Sequence, residues 1–211
     1  MLGIRPDVIR AAEIIKKLRK NSEVDFTFIW SGQHYSQNLK DVFFQDLNLE
    51  FPDLELNCTG ETDAEISSSV IKNLYQALST LNPAAVMFLG DTNTVLGSIS
   101  AAQLNIPIIH IEGCMRSYDW RMPEEKCRTV IDHLSDVIYT YYDEYKLQGI
   151  REGLRPDSII VIQNLIVDIL NEYFFKRLDE YRENFQNILS KRYAVHNNEY
   201  YLATIHRREN V

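Results

Sequence analysis

Hydrophobic residues along this chain alternate between the spacing of amphipathic helices and the short apolar runs of strands. Val8, Ala11, Ile15 and Leu18 recur at three- and four-residue intervals, which predicts a helix over residues 6–20. Apolar runs or period-two alternation predict strands at residues 24–30, 54–57, 84–89, 107–111, 137–140, 158–162 and 200–205. Helical patterns lie between them, at residues 35–47, 62–81, 92–104, 124–134, 144–153 and 167–192. This order predicts an α/β fold, with a parallel sheet covered by helices on both faces.

Charge and cysteine content narrow the classes of function. Thirty acidic and 22 basic residues give a net charge of −8, which argues against general affinity for nucleic acid or anionic membrane. No run approaches the ~18 apolar residues of a membrane span, and the chain start lacks an apolar signal-peptide core. Cys58, Cys114 and Cys127 follow no metal-ligand spacing, so we expect reduced structural thiols in the cytoplasm and no metal site.

Two acids directly follow predicted buried strands. Because ligands bind outside the carboxyl ends of parallel strands, Asp91 and Glu112 are candidate acid/base groups. As alternatives, Asp91 or Thr92 caps the next helix, and Glu112 forms a salt bridge with Arg116. His110, inside its strand, is interpreted as a core histidine with satisfied hydrogen bonds.

Further charged residues lie at predicted helix starts and after the last strand. Arg5 and Arg10 flank a helix start that favours anions, although they are equally typical of solvated arginines. Glu124 and Arg128 are spaced i,i+4 at another helix start, where an ordinary ion pair explains much of the pattern. His206 and two arginines after it fit either a diphosphate site or a solvated basic patch.

Taken in order, these loops resemble those of the non-hydrolysing UDP-N-acetylglucosamine 2-epimerases. The similarity spans almost the whole chain, and its order makes it far more specific than any one motif. It rests on Gly3-Ile4-Arg5-Pro6-Asp7, Gln33-His34, Gly90-Asp91-Thr92, Ile111-Glu112, Arg116, Pro123-Glu124-Glu125 with Arg128, Asn164 with Asp168, and His206-Arg207-Arg208-Glu209.

The resemblance implies a two-domain protein of the glycosyltransferase-B type, with its active site between the domains. Residues 1–165 would form the first, Rossmann-like domain, which carries the acidic loops. Residues 166–211 would form an interdomain helix and the first strand and loop of a UDP-binding domain that is otherwise mostly absent.

The resemblance also implies a reaction and its residues. A cytoplasmic homodimer would interconvert UDP-GlcNAc and UDP-ManNAc for cell-surface polysaccharides, by anti elimination and re-addition of UDP without cofactor or metal. The implied catalytic residues are Asp91, Glu112, Glu124 and His206. The implied substrate-binding residues are Arg5, Arg10, Gln33, Arg116, Arg128 and Arg207.

Departures from the family pattern leave alternatives open. Residues 112–116 read Glu-Gly-Cys-Met-Arg where Glu-Ala-Gly-Leu-Arg is usual, so another UDP-2-acetamido sugar is a possible substrate. Only Met1 and Leu2 stand where the family has a central strand, and we expect the neighbouring strands to lack backbone partners. We therefore expect a fragment that is inactive alone. The alternatives are a non-catalytic truncated module or pseudogene product, and a glycosyltransferase of the same fold.

Overall fold

The computed structural model describes residues 1–32, 44–193, 201 and 203. The chain divides into two compact units, Met1–Val167 and Asp168–Val211. The assignment of residues 1–165 and 166–211 to two different domains stays a prediction.

The first unit contains two groups of parallel strands. Strands β1 (Ile29–Trp30) and β2 (Leu54–Glu55) pair with each other. The second group, in the order β3-β4-β5-β6, comprises β3 (Val86–Leu89), β4 (Ile108–Ile111), β5 (Val137–Thr140) and β6 (Ile159–Val161). These parallel strands alternate with helices along the chain, which confirms the predicted α/β class.

The helices and strands follow the predicted positions with three differences, two in helices and one in a strand. The described α-helices are α1 (Arg5–Lys20), α2 (Asp63–Leu81), α3 (Ser98–Gln103), α4 (Pro123–Leu134), α5 (Asp143–Arg151), α6 (Ile166–Ile169) and α7 (Leu178–Tyr193). The helix predicted over residues 92–104 begins as a 3-10 helix, Asn93–Gly97. The one predicted over 167–192 is interrupted by a π-helix, Leu170–Phe174, and a 3-10 turn, Phe175–Arg177. The strand predicted over 24–30 is paired only at Ile29–Trp30.

The two helical differences have one cause, because apolar spacing does not distinguish helices whose turns are slightly tighter or wider. Within the tight turn, a Cβ on Gly97 would lie 2.6 Å from Leu74 and 3.3 Å from Phe88, so this segment packs closely on α2 and β3. The helix predicted over residues 35–47 lies mostly, and the strand over 200–205 almost wholly, outside the described residues.

The first two residues lie between β1 and β3. Leu2 donates its N–H to the Ile29 carbonyl (3.1 Å) and accepts from the Ser31 N–H (2.9 Å). The terminal amine of Met1 donates to the Met87 carbonyl (2.5 Å), and burial lowers the pKa of this amine to about 5. The expectation that the flanking strands lack a backbone partner is therefore wrong at these positions.

The main core lies between α2, α4 and the strands β3 and β4. Leu74, Phe88, Ile108 and Ile131 are among its fully buried side chains. The three cysteines are buried and free, as expected for structural thiols. Among the described residues, no helix combines the length and apolarity needed to cross a bilayer.

The start of α2 is fixed by a capping box. The Thr62 hydroxyl accepts from the Glu65 N–H (3.2 Å), and the Glu65 carboxylate accepts from the Thr62 N–H (3.0 Å). These reciprocal bonds satisfy two N–H groups that the helix start leaves free.

We expect Thr62→Ala to destabilise the protein by about 1 kcal/mol, because the cap loses its acceptor while the helix gains nothing. Urea unfolding measures the difference. Thr80→Ala, at an exposed position near the end of the same helix, is the matched control and should be neutral or slightly stabilising. Equal destabilisation by both variants would contradict the capping role.

Candidate active site

Three carboxylates and two guanidinium groups meet at the carboxyl edge of the sheet. Asp91 follows β3 through Gly90, Glu112 directly follows β4, and Asp7 lies in the first turn of α1. Their ion pairs with Arg10 and Arg128 join all three elements. We call the set the carboxylate cluster: Asp7, Arg10, Asp91, Glu112, Arg128 and Tyr141.

Asp91 is directed at Arg128 rather than at a helix end. Its carboxylate accepts a short hydrogen bond from Arg128 Nη2, and 23% of its side chain is exposed. The residue at the cap position of the next helical turn is Thr92, whose hydroxyl makes no capping bond. The alternative in which these residues cap the helix is therefore wrong, and Asp91 retains a solvent-accessible carboxylate.

Glu112 is held from two sides in an unusual backbone conformation. Its Oε2 accepts from Arg10 Nη1 and from the Tyr141 hydroxyl (3.3 Å), and Arg128 Nη2 lies 3.8 Å from its Oε1. Burial raises the pKa of Tyr141, which keeps this phenol a donor. The φ angle of Glu112 is +75°, in the left-handed region that non-glycine residues seldom occupy. Strain of this kind is concentrated at functional sites.

Arg116 does not reach Glu112. Its Nη1 lies 2.7 Å from Asp132 Oδ2, and its Nε and Nη2 donate to the two oxygens of Glu152 at 2.9 and 2.6 Å. The alternative of a Glu112–Arg116 salt bridge is therefore wrong. The predicted contact of Arg116 with substrate stays a prediction, although its guanidinium is buried between two other acids.

Asp7 is the most deeply buried acid of the cluster. Its side chain is fully buried, and its Oδ1 accepts from Arg10 Nη2 at 2.6 Å. Its Oδ2 accepts no hydrogen bond from the residues that the structure describes. Burial raises the pKa of Asp7 to about 6 and nearby Asp91 adds to this. Arg10 and the Ile4 backbone oppose the rise.

Two neighbouring acids at the start of α4 have different environments. Glu124 is exposed, and Arg128 pairs with Asp91 and Glu112 instead of with this i,i+4 partner. Glu125 is buried, and it accepts from the N–H and hydroxyl of Ser117 (2.9 and 3.0 Å) and from the N–H of Tyr118 (3.0 Å). Burial opposes ionisation of Glu125, but these bonds outweigh it and hold the pKa below its usual range. Glu125 therefore fixes the loop before α4.

The structure brings together four of the predicted site residues: Arg10, Asp91, Glu112 and Arg128. Arg5 begins α1, and its side chain is not among those described. Gln33, His206 and Arg207 lie outside the described residues.

Sequence reasoning assigned no role to Asp7 and did not consider Tyr141. Asp7 was visible as part of the Gly-Ile-Arg-Pro-Asp motif, three residues before Arg10, a spacing that places both on one helix face. Tyr141 directly follows β5, so its position at the same sheet edge was the available signal. Among the described residues, no three His, Cys, Asp or Glu side chains are arranged to hold a metal ion.

Comparison with known proteins identifies one family over nearly the whole chain. A family model described as UDP-N-acetylglucosamine 2-epimerase matches residues 16–211. The UDP-N-acetylglucosamine 2-epimerase of Methanocaldococcus jannaschii is 35% identical over an alignment of 212 positions, which covers 100% of this chain and 57% of that protein. The UDP-2,3-diacetamido-2,3-dideoxy-D-glucuronate 2-epimerase of Pseudomonas aeruginosa is 28% identical over 100% of this chain and 57% of its own length.

A solved structure supports the same relationship. The crystal structure of Methanocaldococcus jannaschii UDP-GlcNAc 2-epimerase in complex with UDP-GlcNAc and UDP superposes with a TM-score of 0.81 at 33% identity. The superposition covers 88% of this chain and 52% of that one. The chain thus spans little more than half the length of the relatives that it matches.

The raised pKa of Asp7 predicts a pH-dependent stability. The folded state binds a proton between the unfolded pKa, near 4, and the folded pKa of about 6, so the contribution of Asp7 to stability falls as pH rises through that window. The difference between these two pKa values corresponds to about 3 kcal/mol for this buried group.

Asp7→Asn should abolish this dependence, because the amide does not titrate. We expect the stability of the wild type relative to Asp7→Asn to fall by up to about 3 kcal/mol between pH 4 and pH 7, measured by urea unfolding. Asp25→Asn, at an exposed position, controls for the change in net charge. Parallel pH curves for wild type and Asp7→Asn would contradict the raised pKa.

Proposed function

The chain belongs to the UDP-N-acetylglucosamine 2-epimerase family, and we propose that it carries the acid/base groups of an enzyme that interconverts UDP-GlcNAc and UDP-ManNAc. The observation that carries this proposal is that Asp91 and Glu112 approach the same Arg128 nitrogen. Two carboxylates beside one guanidinium suit a reaction that removes a proton from one face of a carbon and returns it to the other.

The first half of the proposed reaction is an anti elimination. A carboxylate of the cluster takes the proton from C2, and the C2–H electron pair forms the C1–C2 double bond. The C1–O bond breaks, and its electron pair leaves with UDP, giving 2-acetamidoglucal. The C2 proton is not adjacent to a carbonyl carbon and is weakly acidic, so a positioned base is needed.

The second half is the addition of UDP to the glucal. A UDP oxygen forms the new bond to C1, and a carboxylic acid on the other side delivers a proton to the opposite face of C2. Asp91, Glu112 and Glu124 are the proposed acids and bases. Each can serve only one face of the sugar, so inversion requires two of them.

Arginines are proposed to stabilise the departing diphosphate. Negative charge develops on UDP as the C1–O bond breaks, and fixed guanidinium groups stabilise such charge without reorganisation. Arg10 and Arg128 lie in the carboxylate cluster, beside the acids that are proposed to react, so they are the proposed partners of the departing diphosphate. We propose that Arg5, Gln33, Arg116, His206 and Arg207 also contribute to substrate binding or catalysis, as the family resemblance implies.

The wider setting of the reaction follows from the family. We propose a cytoplasmic homodimer of two-domain subunits, with the site in the cleft between the domains and UDP-ManNAc supplied to cell-surface polysaccharide synthesis. Light scattering of the full-length, two-domain protein measures its mass in solution and so tests the dimer directly.

A second sugar is a candidate substrate. The Pseudomonas aeruginosa relative is named for a 2,3-diacetamido-2,3-dideoxyglucuronate, and its match covers this chain over its whole length. The chemistry at C2 would be identical, and only contacts with C3 and C6 would differ. Incubation with each UDP-sugar separately distinguishes the two substrates.

The proposed elimination predicts isotope exchange at C2. The protein for this test is a full-length one that contains this chain and the second domain. Incubated with it in heavy water, UDP-GlcNAc should acquire deuterium at C2 of both epimers, as followed by NMR. Epimerisation with retention of the original hydrogen at C2 would contradict the mechanism.

Replacement of the carboxylates should abolish turnover. We expect Asp91→Asn and Glu112→Gln each to lower kcat at least about 100-fold, because an amide does not accept the proton. Glu144→Gln, at an exposed position of α5, is the control and should retain full activity. Full activity of Asp91→Asn with an unchanged melting temperature would exclude that residue as an acid or base.

We expect the 211 residues alone to give no measurable conversion of UDP-GlcNAc. In the proposed enzyme the diphosphate is held between two domains, and loss of remote binding contacts lowers turnover as well as affinity. NMR detection of UDP-ManNAc is the measurement. Clear conversion at an ordinary enzyme concentration would show that this chain holds a complete site.

A further inference from the structure

His110 lies at the centre of β4, fully buried, and both of its ring nitrogens face acceptors. Nε2 is 2.8 Å from the Gly90 carbonyl oxygen, and Nδ1 is 2.7 Å from Asp132 Oδ1. A carbonyl oxygen only accepts, so Nε2 must carry a proton. An ionised carboxylate also only accepts, so Nδ1 must carry one as well.

The other contacts of Asp132 are those of an ionised carboxylate. Its Oδ2 accepts from the Cys114 N–H (2.9 Å) and lies 2.7 Å from Arg116 Nη1. Burial opposes ionisation, but His110 and Arg116 outweigh it and hold the pKa of Asp132 below its usual range. Asp132 therefore faces donors on both of its oxygens.

Charges balance around this pair. We call His110, Asp132, Arg116 and Glu152 the buried quartet. With His110 as an imidazolium, the quartet holds two positive and two negative groups linked in one chain of contacts. A neutral imidazole would leave one uncompensated negative charge in a site where three of the four side chains are at most 3% exposed.

The quartet connects the two loops that carry the candidate acids. Gly90, whose carbonyl accepts from His110, immediately precedes Asp91. Cys114, whose N–H donates to Asp132, follows Glu112 by two residues and has a φ of +64°. Gly113 lies between Glu112 and Cys114. A Cβ on Gly113 would lie 2.6 Å from Asp132 Oδ1 and 3.0 Å from His110 Nδ1, so the backbone here packs directly against His110 and Asp132.

We propose that His110 is a positioning residue: as a buried imidazolium it ties the Asp91 turn to the Glu112 loop and so sets the separation of the two carboxylates. The proposal deepens the proposed function and rests on it, because only there do these carboxylates act on one substrate. Among the described residues, the charged and titratable groups that face the ring and its partner are Asp132 of α4, and Arg116 and the Cys114 thiol of the loop after β4. The Glu152 carboxylate, which follows α5, is linked to them through Arg116.

Nitrogen NMR of the 211-residue chain tests the protonation state. With ¹⁵N-labelled histidine at pH 8, where an exposed imidazole is neutral, His110 should show two protonated ring nitrogens. The signal is assigned by its loss in a His110 variant. A ring with one proton and one bare nitrogen at pH 8 would overturn the proposal.

Two matched variants separate positioning from space filling. His110→Asn keeps a donor where Nδ1 stood, beside Asp132, whereas His110→Gln keeps one where Nε2 stood, beside Gly90. We expect His110→Asn to move the ¹³C shift of the Gly90 carbonyl and leave Cys114 amide exchange close to wild type. We expect His110→Gln to leave Gly90 unchanged and to speed Cys114 exchange about tenfold. Equal effects of both variants on both loops would contradict the positioning role and leave His110 as a residue that only fills space in the core.

Activity provides a separate readout. In the full-length, two-domain protein, His110→Asn should lower kcat about tenfold or more with KM nearly unchanged, because misplaced carboxylates affect the chemical step more than binding. An equal loss in kcat/KM through KM alone would contradict positioning. If the wild type itself shows no C2 exchange, the proposed function fails, while the ring protonation and loop measurements still decide whether His110 ties the loops.

Discussion

Two guanidinium groups shared among three carboxylates are the interaction on which this site depends. Buried charge is costly unless it is paired, and an excess of one acid over the available arginines must be accommodated somewhere. In the carboxylate cluster it is accommodated at Asp7, the fully buried acid whose pKa rises to about 6. Asp91 and Glu112 are thereby left beside Arg128, with part of the Asp91 carboxylate open to solvent.

The parallel sheet is what makes this sharing possible. Leu89 and Ile111 are register partners in β3 and β4, and the Gly90 N–H donates to the Ile111 carbonyl. The residues that follow the two strands therefore leave the sheet side by side. The start of α1 approaches the same edge because Gly3 has no side chain: a Cβ there would lie 1.7 Å from the Thr94 hydroxyl. Strand register and one glycine together bring chain segments about 100 residues apart into one cluster.

The sequence predicted most of the described elements and four of the six residues of the carboxylate cluster, but it did not predict which charged groups pair. Strand runs such as residues 107–111 were recognisable because burial on both faces leaves few polar positions, and the acids that follow them were candidates for that reason. The partner of each arginine was not recognisable, since Arg116 and Arg128 each have several acids within a few residues. Arg128 pairs with Asp91, which is 37 residues away, and not with nearby Glu124. Arg116 pairs with Asp132 and Glu152, and not with Glu112. Such choices depend on tertiary geometry that spacing does not contain.

The two charged groups differ in a way that suits their proposed tasks. The buried quartet is balanced when His110 is an imidazolium, so any proton gained or lost there leaves a buried net charge. The carboxylate cluster has three acids against two arginines, so one proton brings it to neutrality. Above pH 6 Asp7 has lost its own proton, and in the proposed elimination the proton from C2 takes its place in the charge balance. When a carboxylate accepts this proton, its ion pair with the guanidinium group weakens. The guanidinium is then available as negative charge develops on the departing diphosphate. Proton removal and stabilisation of the leaving group are then coupled through Arg10 and Arg128, while the quartet keeps the geometry constant.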